Sequence, residues 1–259
     1  MGHIRLGVLP KTKRWKEVIG LLGFSNDPGL IADKTARAAE KGLEIAKNDS
    51  GIARTIFLLI KTIYAARAEN FETGLKDIGV SISAEASLLD VVCGFDDSLD
   101  RQLREQGKRT DLAEMARQSA VDTLMELAGK ATGNLFGVSK ETTQAELKRY
   151  STPTEFGYVG QTFFGKFLNR FLDYHLSREM PNHIGKNQTF KNIQECDAFK
   201  RSLSLHCLQT ARIVREFAGC WPSATDYRGD LDVSNVQNRF LPVAIKKIRE
   251  ELKRRNSHE

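Results

Sequence analysis

From Trp15 onward the apolar residues recur at intervals of three and four, and alternation of the kind a sheet requires is confined to residues 3–9. A chain with that period nearly throughout can bury its apolar stripes only by packing helix on helix. Trp15, Val18, Ile19 and Leu22 form the first stripe, stopped at Gly23. Asp27 followed by Pro28 is a helix start: the carboxylate caps free N–H groups, and Pro28 stands where its missing N–H costs nothing. The Ala-rich segment that follows predicts Leu30, Ile31, Ala38, Leu43 and Ile45 on the buried side, until Asn48-Asp49-Ser50-Gly51 breaks it. Ile52 to about Ala68 is apolar on most sides, the pattern of a central helix. Ser83-Ala84-Glu85-Ala86 offers a cap for the next segment, which Gly94 is expected to split in two. Asp111 to Ala128 is the clearest amphipathic pattern, and Phe164 to Leu176 is an aromatic-rich one, ended at Met180-Pro181. A long pattern runs from Phe190 to Gly219, a polar loop from Pro222 to Ser234, and a last helix carries Leu241, Ile245, Ile248 and Leu252 on its core side. The expectation is an all-α bundle of about eight to ten helices behind a short extended arm. Ser151-Thr152-Pro153 is the best joint, dividing a region 1–150 from a region 151–259, with one continuous domain as the alternative.

Hydrophobic residues make up 41% of the chain and charged residues 28%, which is globular composition. The opening residues lack a run apolar enough for a signal peptide, and Ile52–Ala66 is too short and too charged to span a bilayer, so a cytoplasmic location away from membranes is the expectation. The charge is unevenly placed. The net charge is +6, yet residues 1–16 carry +5 and residues 237–259 carry +4, which leaves the middle at −3. Arg5, Lys11, Lys13, Arg14 and Lys16 at one end, and Lys246, Arg249 and Lys253 at i, i+3, i+7 on the last helix, are therefore the candidate contacts for an acidic protein or a phosphate backbone. Glu250 and Glu251 intrude beside that last stripe.

The chemistry-bearing side chains form no recognised constellation. Cys196, Cys207 and Cys220 are too widely spaced for a zinc site and read as buried structural cysteines. Neither Cys93 nor Cys220 has a histidine brought to it by sequence spacing, as a thiolate nucleophile would need. Asp96 and Asp100 share a helix face, but acids there also serve a helix start. The loop Asp226–Asp232 lacks the ligand order of a calcium hand, and Gly157-Tyr158-Val159-Gly160 matches no phosphate loop. No cofactor and no metal is expected. His175 lies on the apolar stripe and reads as a hydrogen-bonded core histidine, and Met180–Gly185 as a helix ending.

The order of elements between about residues 100 and 220 carries a resemblance. An Ala-rich helix from Asp111 to Ala128, a short connecting helix, an aromatic helix and the ending Met180-Pro181-Asn182-His183-Ile184-Gly185 together resemble QatB-type proteins, helical members of bacterial anti-phage Qat operons. The N-terminus departs from that group in lacking its Gly/Ser-rich opening. The resemblance implies a defence-operon subunit that works with other proteins, and it carries over no catalytic residue. The expected function is thus a non-catalytic helical adaptor with other protein subunits as partners and Trp15, Trp221 and Tyr227 as candidate anchors. Two other readings stand beside it: sequence-independent binding of nucleic acid by the basic ends, and an enzyme whose site draws on Asp97, Asp100, His175, Arg178 and His183.

Overall fold

The computed structural model describes residues 12–82, 87–107, 109–132 and 140–255. The extended arm, with Arg5 and Lys11, and the cap expected at Ser83-Ala84-Glu85-Ala86 lie outside the described residues. Within them the chain is all-α, with eleven helices of eight residues or more. In order these are α1 (Lys13–Leu22), α2 (Pro28–Ala38), α3 (Glu40–Lys47), α4 (Ser50–Ala65), the shorter α5 (Phe71–Asp77), α6 (Leu88–Glu105), α7 (Asp111–Thr132), α8 (Lys140–Arg149), α9 (Pro153–Leu176), α10 (Ile193–Thr210) and α11 (Arg215–Tyr227). A three-residue turn α12 (Val233–Asn235) and a π-helical stretch over Val236–Phe240 lead into α13 (Leu241–Arg255). The described residues form no strand; an isolated bridge joins Ile184 to Phe190.

Local chemistry explains most of the boundaries. The Asp27 carboxylate accepts from the N–H of Gly29 at 2.8 Å and of Leu30 at 3.1 Å, with Pro28 at the first helical position. Asp49 caps α4 through the N–H of Ile52 at 2.9 Å. Ser87 and Asp90 form a reciprocal capping box at the start of α6. The predicted break at Gly94 is absent, because α6 runs straight through it. The glycine answers to packing instead: a Cβ there would fall on the carbonyl oxygen of Ser81. Ala39 interrupts the predicted second helix, which restarts the apolar phase in α3 and leaves Ile45 half exposed rather than buried. The long pattern after Phe190 likewise breaks at Thr210, and a 3-10 turn over Ala211–Val214 bends the chain into α11. The loop expected from Pro222 begins only after Tyr227. Pro222 sits inside α11, where burial of Pro222 and Thr225 offsets the lost backbone bond.

α4 and α9 form the centre. α9 lies against α7, α10 and α11, while α4 packs on α6, α7 and the π-helical stretch. One continuous buried cluster extends from Trp15 to Leu252, and Leu241, Ile245, Ile248 and Leu252 take part in it as expected from their spacing. The crossing of α9 with α11 is unusually close because both helices present small residues. A Cβ at Gly157 would strike the Arg215 carbonyl, at Gly160 the Ala218 methyl, and at Gly219 the Pro153 carbonyl. α2 is covered by α1, α10 and α13, so the first and last helices lie on the same neighbour. No helix among the described residues is long and apolar enough to cross a membrane.

Candidate functional site

The shared neighbour brings the two basic ends together. α1 contributes Lys13 and Arg14, α13 contributes Arg249 and Lys253, and α2 and α3 between them add Lys34, Arg37 and Lys41. Two shallow concavities of about 430 and 580 Å³ run along this face and share Arg14, Arg37 and Glu40. With the small hollow beneath Arg249 they are lined by seven basic and four acidic side chains. The acids sit in the middle. Arg14 donates to the Glu40 carboxylate at 3.0 Å and to the Arg37 carbonyl at 3.4 Å. Arg249 reaches across from α13 and forks between Glu40 and Glu44. Arg37 is held by the buried Asp33 at 2.8 Å. Lys47, foremost, and then Arg249 hold the Glu44 carboxyl below its usual range.

The arginines of this face are therefore bound to carboxylates, and Lys13, Lys34 and Lys41 carry its outward charge. Lys13, Lys16 and Lys41 are exposed, and Lys253 stands exposed at the rim of one concavity. Lys16 and Lys246 do not line the concavities; Lys246 approaches Glu250 at 3.9 Å on the outer side of α13. Lys246, Arg249 and Lys253 do not form one exposed stripe as their spacing suggested, since Arg249 is turned inward with its side chain 21% exposed. Glu251 does not intrude on a stripe either: it is buried and accepts two bonds from Arg254, each at 2.8 Å. Lys34, Arg37 and Lys41 escaped the sequence reading because the middle of the chain is acidic on balance. Lys34 and Arg37 stand i, i+3 on α2, a spacing visible in the sequence, whereas Lys41 lies beyond the break at Ala39 and joins them only through the packing of α3.

The Arg249 fork is a checkable part of this geometry. Arg249→Ala is expected to cost about 1 kcal/mol, since all three partners are at least partly solvated and screened. A double-mutant cycle with Glu40→Ala, read by urea unfolding at low and high salt, should show coupling that shrinks with salt. Salt-independent coupling would contradict this account.

No family model, curated protein or solved structure matches the chain.

The other candidate groups are dispersed. Asp97 is exposed, and Asp100 is taken by Arg104 and Arg109. Asp96 pairs with Arg117, whose guanidinium also grips Glu114 at 2.7 Å and pulls that carboxyl down. No group of three or more His, Cys, Asp or Glu among the described residues is placed to hold a metal. His175 is buried among Trp15, Phe171 and Tyr174, but it is not hydrogen-bonded: both ring nitrogens lack partners. Arg178 lies over the Tyr174 ring at 4.8 Å, and His183 sits half-buried in a 3-10 turn. Cys196 and Cys207 are buried, and burial raises both thiols. Cys220 is exposed, contrary to its reading as a buried structural cysteine. Of the candidate anchors, Trp15 is buried and Trp221 leans on Phe240 at 5.0 Å, whereas Tyr227 is 95% exposed. Phe24, 78% exposed at the end of α1, is an apolar side chain in water that the spacing did not flag.

Proposed function

We propose that this protein is a non-catalytic helical interaction subunit that docks an acidic segment of a partner protein along the face of α1, α2, α3 and α13. The observation that carries the reading is the convergence of Lys13, Lys34 and Lys41 on one grooved face whose arginines are already committed to Glu40, Glu44 and Asp33. Fixed carboxylates between the lysines favour a partner that presents acids at intervals. They disfavour a continuous phosphate backbone, which would meet like charge at Glu17, Glu40 and Glu44. Exposed Phe24 and Tyr227 supply apolar side chains of the type that anchor interfaces. The resemblance of residues 100–220 to QatB-type proteins supports placing the assembly in an anti-phage defence operon.

The tagged protein, purified from its native host at about 50 mM salt, is expected to bring down a stoichiometric acidic partner identified by mass spectrometry. Lys34→Glu with Lys41→Glu should release it without lowering Tm. Recovery only as a free monomer at low salt would overturn the reading. Nucleic-acid binding is the second reading, favoured by the excess of basic over acidic side chains on the same face. It predicts a log–log salt slope near −3.6 on duplex DNA if about four phosphates are neutralised. No measurable binding to DNA or RNA at about 50 mM salt would remove it.

A further inference from the structure

Another concavity lies where the first turn of α9, the 3-10 turn, α11 and the last turns of α13 meet, with a volume of about 720 Å³. Its charge is arranged differently from that of the docking face. Arg212 and Arg215 stand three residues apart across the junction of the 3-10 turn and α11, and both line the cleft. Neither makes an ion pair among the described residues; Arg215 has its guanidinium 5.8 Å from the centre of the Tyr158 ring. Arg14, Arg37 and Arg249 on the docking face are all held by acids, so their charge is spent within the fold. Arg254, oriented by its two bonds to the buried Glu251, also lines the cleft. Glu216 is the other carboxylate that lines the cleft, and Ile213, 40% exposed, gives it an apolar wall.

Guanidinium groups that line a concavity without a carboxylate bound to them match the paired oxygens of a phosphate, which they bind through two parallel N–H donors. A volume of several hundred Å³ suits a nucleotide-sized molecule. We propose that this cleft binds a phosphate-bearing small molecule of nucleotide size, with its phosphates on Arg212 and Arg215 and its apolar part against Ile213. The first turn of α9 opens into the same cleft at Pro153 and Thr154, and its positive dipole end adds to the guanidinium field without being the basis of the site. The proposal is independent of the docking reading, because the two faces share no lining residue.

Calorimetric titration of the full chain with ATP, tripolyphosphate, ribose 5-phosphate and adenosine tests it. ATP is expected to bind saturably, adenosine not at all, and ATP more tightly than tripolyphosphate because only ATP covers Ile213. Arg212→Glu, at an exposed position that the fold does not use, should weaken ATP at least about tenfold. Arg215→Lys, which keeps the charge but loses the planar fork, should weaken it by a smaller factor. Lys34→Glu with Lys41→Glu should leave ATP binding unchanged, which separates failure here from failure of the docking reading. The proposal is overturned by absence of saturable ATP binding up to about 5 mM, by equal affinity in wild type and Arg212→Glu, or by Arg212-dependent DNA binding that ATP does not displace.

Discussion

Gly219→Ala should lower Tm by about 5–10 °C, a net loss of roughly 2–3 kcal/mol in a chain of this size. Alanine is the better helix former by about 1 kcal/mol, so on propensity alone this substitution inside α11 would stabilise. The sign reverses because the new methyl would land on the Pro153 carbonyl, a backbone atom at the start of α9 that no rotamer change can move aside. Gly160→Ala makes a useful contrast, since its methyl would meet the side-chain methyl of Ala218. Adding Ala218→Gly to Gly160→Ala should therefore recover part of the loss, with a coupling of about 1–2 kcal/mol, while the same addition does nothing for Gly219→Ala. Thermal and urea unfolding of these variants, together with Ala218→Gly alone, reads both effects. A Gly219→Ala protein as stable as wild type would show that α9 and α11 do not cross this closely.

Acid should destabilise the protein through His175. Burial, and then the positive charge of Arg178, push its pKa down from 6.5 to about 4. The folded state therefore holds fewer protons at this site than the unfolded chain between those two values. Stability at this site is complete above about pH 6.5 and is lost as pH falls toward 4, by about 3 kcal/mol in all. The paired carboxylates also titrate in part of that range, so the quantity to read is a difference. His175→Leu removes two buried nitrogens that have no partners and keeps the volume, so it should match or exceed wild type at pH 7. Its advantage should widen steadily toward pH 4. Parallel pH profiles for the two proteins would rule out a buried neutral imidazole.

The fold was legible where local chemistry and apolar period agree. Asp27-Pro28, Asp49, and the stripe from Leu241 to Leu252 each specify a boundary or a face through the nearest few residues, and the structure places them accordingly. Gly94 and Pro222 misled because propensity rates a residue against water. In the folded chain Gly94 admits the Ser81 carbonyl, and Pro222 is buried in a helix held by its neighbours. The site was half legible. Basic side chains at both ends were visible, but their convergence depends on α2 lying between α1 and α13, a contact across more than two hundred residues. Which of them keep their charge for a partner depends on Glu40, Glu44 and Asp33, whose reach only the packing reveals. Arg212 and Arg215 are inconspicuous in the sequence because two arginines three apart on a mixed-charge helix are common; what distinguishes them is the cleft and that, among the described residues, neither makes an ion pair.

The fork from Arg249 to Glu40 and Glu44 joins residues 209 and 205 positions apart, and beneath it Leu252 closes over the hollow beside Ala36 and Leu43. Synthesis runs in one direction, so Ala36 and Leu43 emerge long before the helix that covers them has been made. Until then the early helices carry an open apolar seam, the kind of surface that chaperones hold and that aggregates in their absence. Closing so long a loop also slows folding more than it weakens the final state. Mutations at this seam should therefore reduce the yield of folded protein in cells more than they reduce the melting temperature of the molecules that succeed.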